Sequence, residues 1–104
     1  MALRIVKLVQ ALPKNPVADV LGRQLLRSGT SVGANYRSAC RAKSRADFVS
    51  KLKIVEEEGD EALYWMELLI EADLIKPSRL QSLMAETDEI LSIIVSAAKT
   101  ARTS

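Results

Sequence analysis

The 104-residue sequence contains no histidine, a single cysteine and only four aromatic side chains. The missing imidazole removes the commonest general base, the usual catalytic zinc ligand and the Glu-x-x-His repeat of di-iron helix bundles. Cys40 has no partner for an internal disulfide, which suits a reducing cytoplasm. No apolar run approaches the roughly 18 residues that span a membrane, and the N-terminus lacks a signal-peptide pattern. We expect a cytoplasmic protein with no membrane segment, metal, cofactor or enzymatic activity.

Nearly half of the residues are apolar, and the chain contains much alanine, leucine, glutamate and lysine, which favours an all-helical protein. Apolar residues recur at three- and four-residue steps over four segments, and prolines and turn residues separate the segments. Short turns between long helices make neighbouring helices antiparallel. The sequence therefore predicts one domain over residues 1–104, an all-α, antiparallel up-and-down four-helix bundle with helices over residues 2–12, 17–42, 45–72 and 78–100.

Residues 27–37 combine glycines, hydroxyl residues and an asparagine, yet the helical spacing of apolar residues continues through them. A phosphate-binding loop would need a lysine after its second glycine, and none follows Gly33. We interpret the stretch as the middle of the second helix, with glycine where another element packs closely. Folding the second and third helices about the turn near Ser44 places Gly29 opposite Gly59. The same register places Arg23 and Arg27 beside acids of the third helix, which are Asp60, Glu61 and Glu67.

Three segments, residues 28–37, 41–48 and 63–72, resemble a family of four-helix-bundle proteins. Its members include proteins encoded in intervening sequences of bacterial 23S ribosomal RNA genes, and accessory subunits of diversity-generating retroelements are similar. The resemblance covers roughly residues 3–100. It departs from the family where the chain starts close to its first helix, and at Ser38, where many members have glutamate. It implies an up-and-down bundle, a ring-shaped homopentamer and a role near nucleic acid, with no known catalytic residues.

Charge is distributed unevenly: residues 1–53 hold eleven basic and two acidic side chains, whereas residues 54–104 hold four and eleven. Six basic residues fall at or near the turn between the second and third helices, and only Asp47 opposes them. We call this set the basic tip, and it is the predicted nucleic-acid-binding site. A merely soluble end and a dock for an acidic protein remain alternatives. The basic tip consists of Arg37, Arg41, Lys43, Arg45, Lys51 and Lys53.

Other candidate residues favour structural roles. The acids between Glu56 and Glu61 spread around a helix, so a solvated or salt-bridged face is favoured over a cation site. Cys40 is predicted to be a buried structural thiol, although nearby arginines would activate an exposed one. Tyr64 and Trp65 favour the core or a subunit interface over stacking on a base.

Two apolar stripes on the fourth helix and a short first helix leave more apolar surface than one small bundle buries. We therefore expect a homo-oligomer, a pentamer by resemblance. The expected function is a non-catalytic scaffold or accessory protein that binds RNA or DNA backbone through the basic tip. The alternative is a purely structural assembly module that docks another protein, such as a polymerase.

Overall fold

The computed structural model describes residues 1–103 as an all-α, antiparallel up-and-down bundle of four helices. The predicted fold class is confirmed, and each predicted boundary lies within about three residues of the observed one. The first helix is short, and the other three are long. The helices are α1 over Ala2–Gln10, α2 over Pro16–Cys40, α3 over Arg45–Glu71 and α4 over Pro77–Thr103.

Side chains in the preceding turns cap the starts of α2 and α3. Asn15 accepts a hydrogen bond at Oδ1 from the Ala18 amide over 2.8 Å, and a proline occupies the first helical position. Ser44 caps α3 in the same way by accepting from the Asp47 amide over 3.1 Å. The Asp47 carboxylate accepts from the Lys43 amide rather than from the Ser44 amide.

The turn after α3 reverses the chain through one residue in the left-handed conformation. Asp73 has φ 57°, and its amide donates to the Ile70 carbonyl over 3.0 Å. The next amide, of Leu74, donates to the Leu69 carbonyl over 3.1 Å. This pair of bonds is the Schellman motif, which satisfies the last carbonyls of a helix and most often uses glycine at the position of Asp73.

The core has two parts along the 47 Å length of the bundle. The part near α1 receives side chains from all four helices, including Ile5, Leu25, Met66 and Leu80. The part near the basic tip is built from α2, α3 and α4. Its buried residues are Val32, Ala39, Leu52, Val55, Ile94 and Ala98. The bundle therefore has four helices only along the length of α1 and three helices beyond it.

The interior glycines accommodate different helices, which corrects the predicted Gly29–Gly59 contact. A Cβ on Gly29 would collide with the Ile5 side chain of α1. A Cβ on Gly59 would lie 2.5 Å from Cδ2 of Leu91 in α4. Residues 29–33 are helical throughout, so their amides bond within α2 and form no phosphate-binding loop.

The predicted register of α2 against α3 is correct, because Arg27 donates hydrogen bonds to Glu61 and, over 3.1 Å, to Glu58. The predicted Gly29–Gly59 pairing is wrong because register gives the level of a residue along the bundle and not the side of the helix on which it lies. The prediction that another element packs closely at these glycines is confirmed. Within residues 1–103, Arg23 forms no ion pair with the predicted acids of α3. Arg23 lines a surface hollow beside α1 with Leu12 and Asp19.

A candidate nucleic-acid interface at the basic end of the bundle

The structure places the six residues of the basic tip at one end of the bundle. Arg37 lies in the last turn of α2, Arg41 directly follows that helix, and Lys43 lies in the connecting turn. Arg45 is the first residue of α3. Five of the six are exposed, and Lys51 is half-buried. Lys53 lies eight residues beyond the start of α3, so the basic surface extends about 12 Å along that helix.

The acidic residue at this end, Asp47, is hydrogen-bonded within the turn between α2 and α3. Its carboxylate accepts from the Lys43 amide over 3.2 Å, and its own amide is capped by Ser44. It is half-buried, whereas Lys43 is exposed. Asp47 therefore serves the local fold and offsets only one of the positive charges.

Two basic residues of α4 join the same end and were missed by the sequence interpretation. Lys99 and Arg102 are exposed, and the neighbouring Ala98 packs in the core cluster that includes Leu52. The signal was available, because α4 runs antiparallel to α3. Position 91 faces Gly59, so the same register brings Lys99 to the level of Lys51. The end of the bundle thus carries more positive charge than the turn alone supplies.

A belt of acidic side chains lies next to this basic end, on the middle of α3 and α4. Four of these acids line a groove between the two helices together with Leu91 and Val95, and Lys99 lines its end nearest the basic tip. Within residues 1–103, no group of three or more side chains is assembled that could hold a metal ion. Because the belt repels phosphate, it disfavours the approach of a nucleic acid to the middle of α3 and α4. The four acids are Glu56, Glu57, Asp60 and Asp88.

Trp65 takes part in an ion-pair network rather than offering a free face to a base. Its Nε1 donates to Glu61 over 3.1 Å, and the ring is half-buried against the core. The hydrogen bond from Arg27 holds the pKa of Glu61 below its ordinary value, and the bond from Trp65 acts in the same direction. Tyr64 and Trp65 form a T-shaped pair with ring centroids 4.9 Å apart, and Tyr64 is exposed. These side chains lie in the half of α3 away from the basic tip.

Cys40 is exposed, which corrects the predicted buried thiol. The neighbouring Ala39 is the residue that enters the core, with 1% of its surface exposed. Tyr36 lies one turn earlier on α2, and hydrogen bonding between its hydroxyl and the Cys40 thiol raises the pKa of Tyr36. The thiol therefore lies on the surface of the basic end.

These features define a class of protein, a small antiparallel helix bundle with one strongly basic end. In the described part of the chain, every helix is too short or too polar to cross a bilayer. The model of the 23S rRNA-intervening sequence protein family matches residues 1–96, and the chain belongs to this family.

A crystal structure of a protein of unknown function from the S23 ribosomal protein family of Bacteroides thetaiotaomicron VPI-5482 has the same fold, with a TM-score of 0.88. The two sequences are 43% identical over 94% of this chain and 91% of the other. No curated protein matches the chain. The relatives therefore establish the family and the bundle and name no activity.

Proposed function

We propose that the protein is a non-catalytic, oligomeric accessory or scaffold protein of the cytoplasm that binds the backbone of RNA or DNA through its basic tip. The observation that carries this proposal is the concentration of exposed cations at one end. Arg41, Lys43 and Lys53 lie there, and Lys99 and Arg102 of α4 add to them. Such a concentration attracts phosphate and releases its condensed counterions on binding.

The chemistry of this end favours backbone contact over base readout. Its exposed cations lie on a helix end, a turn and the first turns of α3, and none of them belongs to a helix that projects from the bundle into a groove. Arginine and lysine contacts to phosphate position a protein on nucleic acid without reading its sequence. We therefore propose weak preference among sequences.

The non-catalytic part of the proposal is supported by the side chains available. The sequence has no histidine, and within residues 1–103 the carboxylate with a shifted pKa, Glu61, is explained by its ion pair. The resemblance to pentameric four-helix bundles supports assembly into a ring of five subunits. A ring would bring five basic ends around one axis and strengthen the field that attracts phosphate.

The alternative function is a structural module that docks another protein, such as a polymerase. The acidic belt on α3 and α4 favours this alternative, because it offers a charged surface to a basic partner.

The two functions are separated by fluorescence anisotropy with mixed-sequence RNA and DNA, titrated from about 50 to 200 mM salt. Backbone binding predicts an affinity that falls linearly on a log–log plot and differs little between sequences. An absence of binding at the low-salt end would leave the protein-docking function.

A further inference from the structure

The isolated chain exposes more surface than a protein of its mass usually does. Its accessible surface is 6489 Å², whereas a folded 11.4 kDa chain is expected to expose about 5,800 Å². The excess is close to the roughly 800 Å² that each partner buries in a standard interface. The elongated shape, 47 × 20 × 17 Å, accounts for it physically.

Part of this surface forms an apolar groove between α2 and α4. The groove exists because α1 is shorter than α2, with nine residues against 25. About 24 Å of α2 therefore has no part of α1 packed beside it. Beyond the start of α1 the groove has a volume of about 380 Å³, and none of its ten lining residues has a charged side chain. Ile93 and Tyr36 on its rim are 61% and 49% exposed. The groove therefore lies where α1 would pack if it were as long as the other helices.

Gly33 in the wall of this groove makes no close approach to another helix within residues 1–103. A Cβ there would meet nothing within 4 Å, whereas one at Gly22, Gly29 or Gly59 would press on a side chain from another part of the chain. Glycine in a helix interior is less favourable than alanine. Its presence at an open position is explained if another backbone approaches α2 there.

We infer that a helix of a second copy of this chain occupies the groove. This inference rests on the self-association in the proposed function and deepens it by naming the contact. The side chains that line the groove are uncharged, but Arg37 and Arg41 lie beyond Tyr36 on the α2 side of the groove. The helix that occupies the groove therefore needs an apolar surface with acidic side chains beside it. The other side of α4, which faces away from the apolar groove, has these properties. Val95 on that side is 43% exposed, and with Asp88 it lines the groove between α3 and α4 that contains the acidic belt.

The inferred contact joins two different surfaces, the Gly33 groove of one copy and the Val95 flank of α4 of the next. Such a contact is heterologous, and repeated copies close into a ring when the rotation between them allows it. Each copy then completes the open end of its neighbour's bundle.

The test uses two variants that damage opposite sides of the contact, Gly33→Trp and Val95→Asp, and measures mass by sedimentation equilibrium. Wild type is expected to be a multiple of 11.4 kDa, and each variant alone is expected to be a monomer. Mixing the two variants leaves one intact contact, so a dimer of twice the chain mass should form. The matched control is Ala34→Trp, which adds the same side chain to the neighbouring exposed position outside the groove lining and should leave the assembly intact.

The outcomes separate this inference from the function on which it rests. A monomeric wild type would remove both the self-association and the groove contact. A wild-type oligomer that Gly33→Trp leaves intact would overturn the groove contact alone. Far-UV circular dichroism checks that each variant is as helical as wild type, and Ile93→Asp replaces Gly33→Trp in the mixing experiment if that variant unfolds.

Discussion

Arg27 of α2 and Glu61 of α3 form a hydrogen-bonded ion pair, and the same carboxylate accepts from Trp65 over 3.1 Å. This relationship fixes the register of α2 against α3 at the middle of the bundle. It also ties the aromatic residue to the pair, so Trp65 is held in place by polar and apolar contacts together.

The ion pair predicts how stability depends on pH. The pKa of Glu61 is lowered in the fold, chiefly by the hydrogen bond from Arg27, whereas an unfolded glutamate titrates at about 4.3. The Glu61 carboxylate therefore makes its full contribution to the free energy of unfolding above that pH, and the contribution is lost as the pH falls through the lowered pKa. Arg27→Gln should shrink the loss of melting temperature between about pH 5 and pH 3. Thermal melts across this range, with Arg79→Gln as control, measure it, and an unchanged pH profile would contradict the assignment.

The contact of Gly29 with Ile5 predicts a destabilising substitution with a specific rescue. Gly29→Ala should destabilise by up to about 2 kcal/mol, because its Cβ would meet the end of the Ile5 side chain. The overpacking cost of about 1–3 kcal/mol is offset by the roughly 1 kcal/mol by which alanine is favoured over glycine in a helix. Ile5→Val removes that end and alone should cost about 0.5–1.5 kcal/mol. Urea denaturation of the double variant should show a reduction in stability smaller than the sum of the two. Additive reductions would mean that the glycine serves another contact, such as the one with Gly59.

Asp73 predicts a stabilising substitution. An L-residue in the left-handed region costs roughly 1–2 kcal/mol, and Asp73 has φ 57° in the turn after α3. Asp73→Gly should raise the free energy of unfolding by up to about 1 kcal/mol, the gain being reduced by the greater entropy of unfolded glycine. Asp73→Ala keeps the strain and should not stabilise. A glycine variant no more stable than wild type in urea would contradict this account of the turn.

The exposure of Cys40 predicts its reactivity. A thiol on the surface of the basic end should react with Ellman's reagent in the folded protein without denaturant, since no burial protects it. A thiol that reacts only after denaturation would place Cys40 in an interface or in the core.

Helix periodicity was sufficient to predict the four helices, the antiparallel order and the α2–α3 register, because each depends on spacing along the chain. The helices that pack against Gly29 and Gly59 could not be predicted in this way. They depend on the angle of each residue around its helix and on which third helix lies there. Cys40 was assigned to the core although Ala39 takes that position, an error of one residue, or about 100° around a helix.

The six basic residues of the tip were predictable because they cluster along the sequence near one turn. Lys99 and Arg102 were not found because they are distant in sequence, and only the α3–α4 register brings them to this end. The open groove was indicated by the short first helix, but its position beside Gly33 required the structure.

The central claim is that the basic end binds nucleic-acid backbone, and one comparison of two charge-neutralised variants tests it most directly. Arg41→Gln/Lys53→Gln removes two cations from the basic tip, and Lys76→Gln/Arg79→Gln removes two exposed cations from the opposite end. Affinity for duplex DNA and RNA is measured by anisotropy between about 50 and 200 mM salt. The tip variant should bind every sequence more weakly, with a log–log salt slope flatter by about 0.9 for each B-DNA phosphate that it no longer neutralises, whereas the opposite-end variant should bind as wild type does. Equal weakening by the two variants, or none by the tip variant, would contradict the claim.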